Sequence, residues 1–140
     1  MKISTKGRYA LRLMTDVAIH EKDGFVPLKE VAARQGISIK YLEQIASSLG
    51  RAEMLRSGRG AQGGYRLARA PETYTVGSIL RLTEGNLAPV TCLEDPENRC
   101  ERCDTCATLD FWTGLYAAVQ QYVDQYTLAD LVRSQREKEK

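Results

Sequence analysis

Pro27-Leu28-Lys29-Glu30-Val31-Ala32-Ala33-Arg34-Gln35-Gly36-Ile37-Ser38-Ile39-Lys40-Tyr41-Leu42-Glu43-Gln44-Ile45-Ala46-Ser47-Ser48-Leu49 is the stretch whose reading decides the fold. Proline opens a short helix over 27–35, with Leu28, Val31 and Ala32 on one face, and Gly36 ends it. Ile37-Ser38 then leads into a second helix, Ile39 to Leu49, with Leu42, Ile45, Ala46 and Leu49 as its apolar stripe. Two short helices joined by a tight glycine turn, with a small residue at Ala32 for close approach, match a helix-turn-helix. In that motif the second helix enters the major groove, and its early residues reach base edges. Here those residues are Ser38, Lys40, Tyr41 and, one turn on, Gln44. The periodicity alone also accommodates a helical hairpin buried in a core.

The residues that follow favour the first reading. Met54-Leu55-Arg56-Ser57 and Tyr65-Arg66-Leu67-Ala68 are strand-like, and Gly58-Arg59-Gly60-Ala61-Gln62-Gly63-Gly64 separates them. This is a β-hairpin with a basic tip, a wing whose glycines let backbone approach a phosphate and whose Arg59 can enter a narrow minor groove. Gly58-x-Gly60-x-x-Gly63 also satisfies a dinucleotide-binding pattern, which requires a helix directly after the glycines. Gly64-Tyr65-Arg66-Leu67 and then Pro71 follow instead, so nucleotide binding is rejected.

Upstream, Arg8 to Ile19 has helical spacing at Tyr9, Leu13, Met14 and Val17, with Ser4 and Thr5 as caps and Asp23-Gly24 as the stop. Phe25-Val26-Pro27 reads as a short strand or extended connector. Downstream, Thr75 caps a helix from Val76 to Glu84, closed by Gly85, with Ile79, Leu80 and Leu82 for the core. A polar loop spans 86–106. Leu109 to Gln125 is then a long amphipathic helix carrying Trp112, Leu115, Tyr116, Val119, Tyr122 and Val123. A stripe this rich in Trp and Tyr suits a partner surface, and a dimer is how a helix-turn-helix reads a two-fold site. Thr127-x-x-Asp130 caps a short last helix, and Ser134 to Lys140 is expected to fray.

Charge is distributed unevenly. Residues 1–70 hold 13 Lys and Arg against 6 Asp and Glu, whereas residues 71–140 hold 7 against 12. A basic front attached to an acidic back suits a protein that offers one half to a polyanion. The first residues show no secretory signal, and no apolar run approaches membrane-spanning length, so a cytoplasmic protein without membrane contacts is expected.

All four cysteines fall in one short stretch: Cys92, Cys100, Cys103 and Cys106, the last three spaced C-x2-C-x2-C. In a reducing compartment, disulfides are a poor explanation for such crowding. Thiolates are soft ligands, and these spacings suit an iron–sulfur cluster, 2Fe–2S or 4Fe–4S, with tetrahedral zinc as the alternative. The Cys-Pro that closes the run in bacterial ferredoxins is missing here. His20 is the lone histidine, on the first helix, and reads as a surface or packing residue. With no partnered nucleophile, no triad or zinc-protease pattern is present, and an enzyme is not expected.

Ser4-Thr5-Lys6-Gly7-Arg8-Tyr9-Ala10-Leu11-Arg12, Tyr41-Leu42-Glu43-Gln44-Ile45, Arg59-Gly60-Ala61-x-Gly63-Gly64-Tyr65-x-Leu67 and the cysteine loop together resemble the Rrf family of bacterial regulators. The resemblance covers nearly the whole chain. It implies a homodimeric winged-helix repressor or activator whose long helix makes the dimer. It also implies that Ser38, Lys40, Tyr41, Gln44, Arg59 and Gly60 occupy DNA-reading positions. Iron–sulfur members of that family use three cysteines and a histidine just after the third; here Cys106 stands in the histidine's place, and the gap from Cys92 to Cys100 is longer. Nitric-oxide-sensing members borrow an acidic residue from the partner subunit near its N-terminus, where this chain has Arg8. These departures point to an all-cysteine site within one subunit. Cysteine-metabolism members generally lack the cluster cysteines.

The expectation is therefore a mainly α protein, a winged helix-turn-helix with a β-hairpin wing and a long C-terminal dimerisation helix. It divides into a DNA-binding domain at 1–85, a cysteine-rich sensing loop at 86–107, and a dimerisation helix with tail at 108–140. Its expected function is sequence-specific binding of double-stranded DNA, modulated by a cluster that reports iron, redox state or nitric oxide. Two alternatives stand beside it: a cluster-free regulator working through cysteine oxidation or a partner protein, and an electron-transfer iron–sulfur protein. The basic helix-turn-helix and wing argue against the second, since an electron carrier needs neither.

Overall fold

The computed structural model describes residues 1–22 and 24–140; Asp23, read above with Gly24 as a helix stop, lies outside the described residues. The elements run α1 (Thr5–His20), α2 (Leu28–Gln35), α3 (Ile39–Arg51), β1 (Leu55–Gly58), β2 (Gly64–Leu67), α4 (Val76–Glu84), α5 (Leu109–Gln125) and α6 (Leu128–Lys138), with 3₁₀ turns at Pro71–Thr73 and Thr91–Leu93.

Helix α1 begins where the Ser4 hydroxyl accepts from the Gly7 N–H at 3.1 Å, which satisfies one of the first-turn amides left without an intrahelical partner. Its buried face, Ala10, Leu13, Met14 and Val17, is the floor on which the other elements pack. Against it lie Val31 of α2 and Leu42, Ile45, Ala46 and Leu49 of α3. Full burial of each large aliphatic side chain contributes about 1.5–3 kcal/mol, so the helix-turn-helix is fixed chiefly by this shared core.

Strands β1 and β2 pair antiparallel, with Leu55 opposite Leu67 and Gly58 opposite Gly64. The connector Phe25-Val26-Pro27 joins them through a single bridge: the Val26 N–H donates to the Tyr65 carbonyl at 2.7 Å, and Tyr65 returns the bond at 2.9 Å. Space is tight there. A Cβ at Gly64, where φ is +140°, would lie 2.2 Å from the Val26 carbonyl oxygen, so only glycine lets the wing and connector approach. The wing root is locked by Tyr74, whose ring is fully buried. Its hydroxyl donates to the Met54 carbonyl at 2.7 Å and accepts from the Ala68 and Arg69 N–H groups at 3.0 and 3.2 Å.

Helix α4 spans the residues expected of it, capped by the Thr75 hydroxyl on the Ser78 N–H and closed by Gly85. Leu82 is only half-buried, whereas Ile79 and Leu80 are in the interior. Helix α5 likewise matches its expected bounds but buries none of its residues fully. One stripe, Tyr116, Val119 and Val123, packs on Val76, Leu80 and Leu87. The far end of α5 is pinned to α4 by Arg81 and Asp124, whose guanidinium and carboxylate meet in two bonds of 2.7 and 2.8 Å.

The last helix is longer than the sequence reading allows. The capping box at Thr127 and Asp130 is present, but α6 continues through the charged tail to Lys138. Leu128 and Val132 anchor it in the protein interior, Leu131 reaches the same core, and Gln135 donates to Glu139 one turn on at 3.0 Å. Docking of an apolar face holds a polar tail helical that local preference alone would leave open.

Candidate nucleic-acid interface and cysteine pocket

Helix α3 divides cleanly into two faces. Leu42, Ile45, Ala46 and Leu49 point into the core, while Ser38, Lys40 and Gln44 are exposed. Tyr41 sits between these groups, half-buried, with its ring edge-on to Tyr9 at 5.7 Å. Ser38 is the helix cap: its hydroxyl accepts from the Tyr41 N–H at 3.1 Å and still has its own proton to donate. Lys40, Tyr41 and Gln44 line one open groove of about 550 Å³ along the helix. Ser38 stays at the head of the helix outside that groove, and Arg59 and Gly60 belong to the wing tip.

The groove contains residues that the sequence reading missed. Lys6 reaches it from α1, and Glu43, Ser47 and Arg51 extend it along α3. The Arg51 guanidinium donates to the Ser47 hydroxyl at 2.9 Å, which holds the charge along the helix. The surplus of cations in the first half of the chain was their only trace in the sequence, because which cations share a groove depends on how α1 crosses α3. At the wing, Arg59 and Gly60 are exposed, and Gly60 adopts φ +86° in a turn closed by the Gly63 N–H on the Gly60 carbonyl at 3.0 Å. A side chain at Gly60 would strain that turn.

The four cysteines share a second, smaller pocket of about 130 Å³, whose other walls include Val90, Leu109 and Trp112. Cys92, Cys103 and Cys106 are half-buried and Cys100 is exposed. Tight turns bring them together: Asn98 accepts from the Cys100 N–H at 2.9 Å, and the Cys103 N–H bonds the Cys100 carbonyl at 3.1 Å. The Thr108 hydroxyl, 3.2 Å from the Cys106 sulfur, holds that thiol below its ordinary pKa, aided by backbone N–H groups. Partial burial and the neighbouring Asp104 carboxylate push Cys103 the other way. Among the described residues, no three His, Cys, Asp or Glu side chains converge closely enough to hold an ion. The donor set nevertheless fits a thiolate-bound centre, since four soft sulfurs line one small cavity with an apolar wall. Trp112, read above as part of a partner stripe, is also a wall of this pocket.

His20, read as a surface or packing residue, is exposed at the end of α1, with Nδ1 2.8 Å from the Asp16 carbonyl oxygen. Among the described residues, no helix is long and apolar enough to cross a membrane.

A helix-turn-helix followed by a glycine-hinged wing defines a winged-helix protein of the class that regulates transcription through DNA. The chain belongs to the Rrf2 family, whose model, described as "Iron-dependent Transcriptional regulator", matches residues 3–134. Protein rrf2 of Nitratidesulfovibrio vulgaris is 40% identical over 134 residues, covering 95% of this chain and 88% of that protein. CymR, described as the global cysteine regulator of B. subtilis, is 40% identical in sequence with a TM-score of 0.80, over 96% of this chain and 98% of that one. IscR of T. potens is 38% identical with a TM-score of 0.81, over all of this chain and 92% of its own. The chain is a transcription regulator, not an enzyme.

Proposed function

We propose that the protein is a cytoplasmic homodimer that binds double-stranded DNA sequence-specifically, and that a thiolate-bound iron–sulfur cluster on Cys92, Cys100, Cys103 and Cys106 modulates that binding. Ser38, Lys40, Tyr41 and Gln44 read the major groove, while Arg59 and Gly60 bring the wing tip against the adjacent minor groove. Residues 1–85 form the DNA-binding part, 86–107 the sensing loop and 108–140 the dimerisation part. The single observation that supports the sensing role is that all four thiols, distant by up to 14 positions in the chain, line one pocket.

A bound cluster would supply a redox-active, oxidant-labile centre in that pocket. The chain's own contribution is to gather the sulfurs through the Asn98 and Cys100 turns, exclude water with Val90, Leu109 and Trp112, and join the pocket directly to α5 at Leu109. Any shift of DNA affinity then requires that the loaded and empty loops favour different positions of α5.

Trp112 is the only tryptophan, so it reports on the pocket alone. Anaerobic addition of ferrous iron and sulfide to the purified protein is expected to give stoichiometric iron and sulfide, visible absorption and quenched tryptophan fluorescence. Replacement of Cys103 by Ser should abolish all of these. Protein that takes up neither iron nor sulfide and shows no visible absorption would remove the cluster and leave the regulator. Similarity to CymR, and to the oxidised form of Staphylococcus aureus CymR at 38% identity and TM-score 0.74, then favours sensing by thiol oxidation.

A further inference from the structure

Asp16 is the one charged side chain buried among the described residues, and it faces the helix-turn-helix from α1. Its carboxylate accepts a forked pair from Arg34, with Nε 3.0 Å from Oδ2 and a terminal nitrogen 2.7 Å from Oδ1, and a further bond from the Gln35 amide at 2.9 Å. Arg34 and Gln35 are the last two residues of α2. Only Gly36, Ile37 and Ser38 separate Gln35 from the first turn of α3, and Gly36 is held in the left-handed conformation at φ +65°. Arg12, one turn before Asp16 on α1, closes the same corner from outside. Its Nε donates to the Gln35 side-chain oxygen at 3.0 Å, and its terminal nitrogen donates to the Gln35 carbonyl. The Arg12 guanidinium also lies 5.4 Å from the Tyr9 ring, which meets the ring of Tyr41 on α3.

Only the carboxylate of this pair is buried, and the Arg34 guanidinium keeps about a third of its surface in solvent, so the pair is a modest source of stability, yet its geometry is narrow. A planar guanidinium fork and an amide can satisfy one buried carboxylate only if the end of α2 sits in one place. An apolar contact at the same point would tolerate sliding. We infer that Asp16, with Arg34, Gln35 and Arg12, is a positioning cluster for DNA reading: it fixes the α2–α3 turn and thereby the placement of Lys40, Tyr41 and Gln44 on base edges. This inference rests on the DNA-reading role proposed for α3.

The test compares operator binding with non-specific binding, because loss of folded protein lowers both alike. Repeated selection from random duplexes on the wild-type homodimer supplies the operator, and a scrambled duplex of equal composition supplies the reference. For Asp16→Asn, operator affinity is expected to fall about tenfold while scrambled-duplex affinity stays within about twofold. Arg34→Met should do the same, and the double variant should be no worse than either single one. Arg12→Ala leaves the Asp16–Arg34 pair intact and removes only exposed contacts, so it is expected to fold where Asp16→Asn does not, and it should lower the operator-to-scrambled ratio about threefold. Ratios unchanged in the folded variants would overturn the positioning role. If the wild-type protein enriches no sequence at all, the reading of α3 fails and takes this inference with it. An enriched duplex that the variants still prefer in full overturns only the inference.

Discussion

Arg59 is the cation at the tip of the wing, beyond Arg56 and Arg66 on its two strands. It is exposed, is flanked by Gly58 and Gly60, and has no carboxylate partner among the described ion pairs. A guanidinium on a tight turn suits a narrow minor groove, where the potential is most negative. Arg59→Ala is expected to weaken operator binding about tenfold and to flatten the salt dependence by about one counterion. Arg59→Lys should restore the salt slope but only part of the affinity, since a hydrated ammonium fits the groove poorly. Iron and sulfide uptake should be the same in all three proteins. Titrations at two salt concentrations decide it, and unchanged binding in Arg59→Ala would remove the wing from recognition.

At the scale of elements, α4 and α5 meet in a close junction fixed by the Arg81–Asp124 pair. Gly77 makes it possible: a Cβ there would sit 2.0 Å from the Asp124 carboxylate. The Arg81 guanidinium holds the Asp124 carboxyl below its ordinary range, and Thr75 adds to the effect. A carboxylate whose pKa is lower in the folded state favours folding at pH above its unfolded value, and that contribution is lost as pH falls through the lowered one. The side chain is 42% exposed, so solvent screens the pair. Asp124→Asn should therefore lower the melting temperature by an amount that holds steady from about pH 7 to about 5, narrows as pH falls from there to about 2, and shrinks as salt rises. Thermal melts across that range check it, and a pH-independent difference would show that the pair adds nothing.

The same elements show what was legible in the sequence. Helices α4 and α5 follow local rules, a Thr75 cap, a Gly85 stop and an apolar period, and their bounds were readable. The wing's glycines were readable too, whereas Phe25-Val26-Pro27 fits either a strand or a connector in the sequence, because the single bridge from Val26 to Tyr65 leaves no alternation to detect. The full length of α6 was hidden, since Ser134 to Lys138 are held by docking upstream at Leu128 and Val132. Lys6 and Arg51 were invisible as groove residues, and so was Trp112 as a wall of the cysteine pocket, because each depends on helices crossing at long sequence separation. The buried Asp16 was equally hidden: on the helical repeat it reads as an ordinary polar residue, and only the approach of Arg34 and Gln35 makes its burial tolerable.

At the scale of the whole molecule, one face of α5 stays apolar and uncovered among the described residues. Along α5, Phe111, Leu115, Ala118, Tyr122 and Tyr126 follow one another at three- and four-residue steps, on a stripe beside the one that packs on α4. Phe111 is 65% exposed, Tyr122 60% and Tyr126 39%. A continuous apolar strip of this kind on a regulator suits a second copy of itself, and two copies give the two-fold pair of α3 helices that a palindromic site requires. The strip lies outside both hydrophobic clusters of the chain, so a charge there should break a dimer formed through it without unfolding the chain. Tyr122→Glu is expected to sediment as a folded monomer with unchanged helical content. Its operator affinity should fall by about 10² or more, because the second half-site contact is no longer intramolecular, while the scrambled duplex is bound almost as before. A Tyr122→Glu protein that still sediments as a dimer would move the interface off this stripe. A monomer that still binds the operator at wild-type strength would mean that one winged helix is enough to read it.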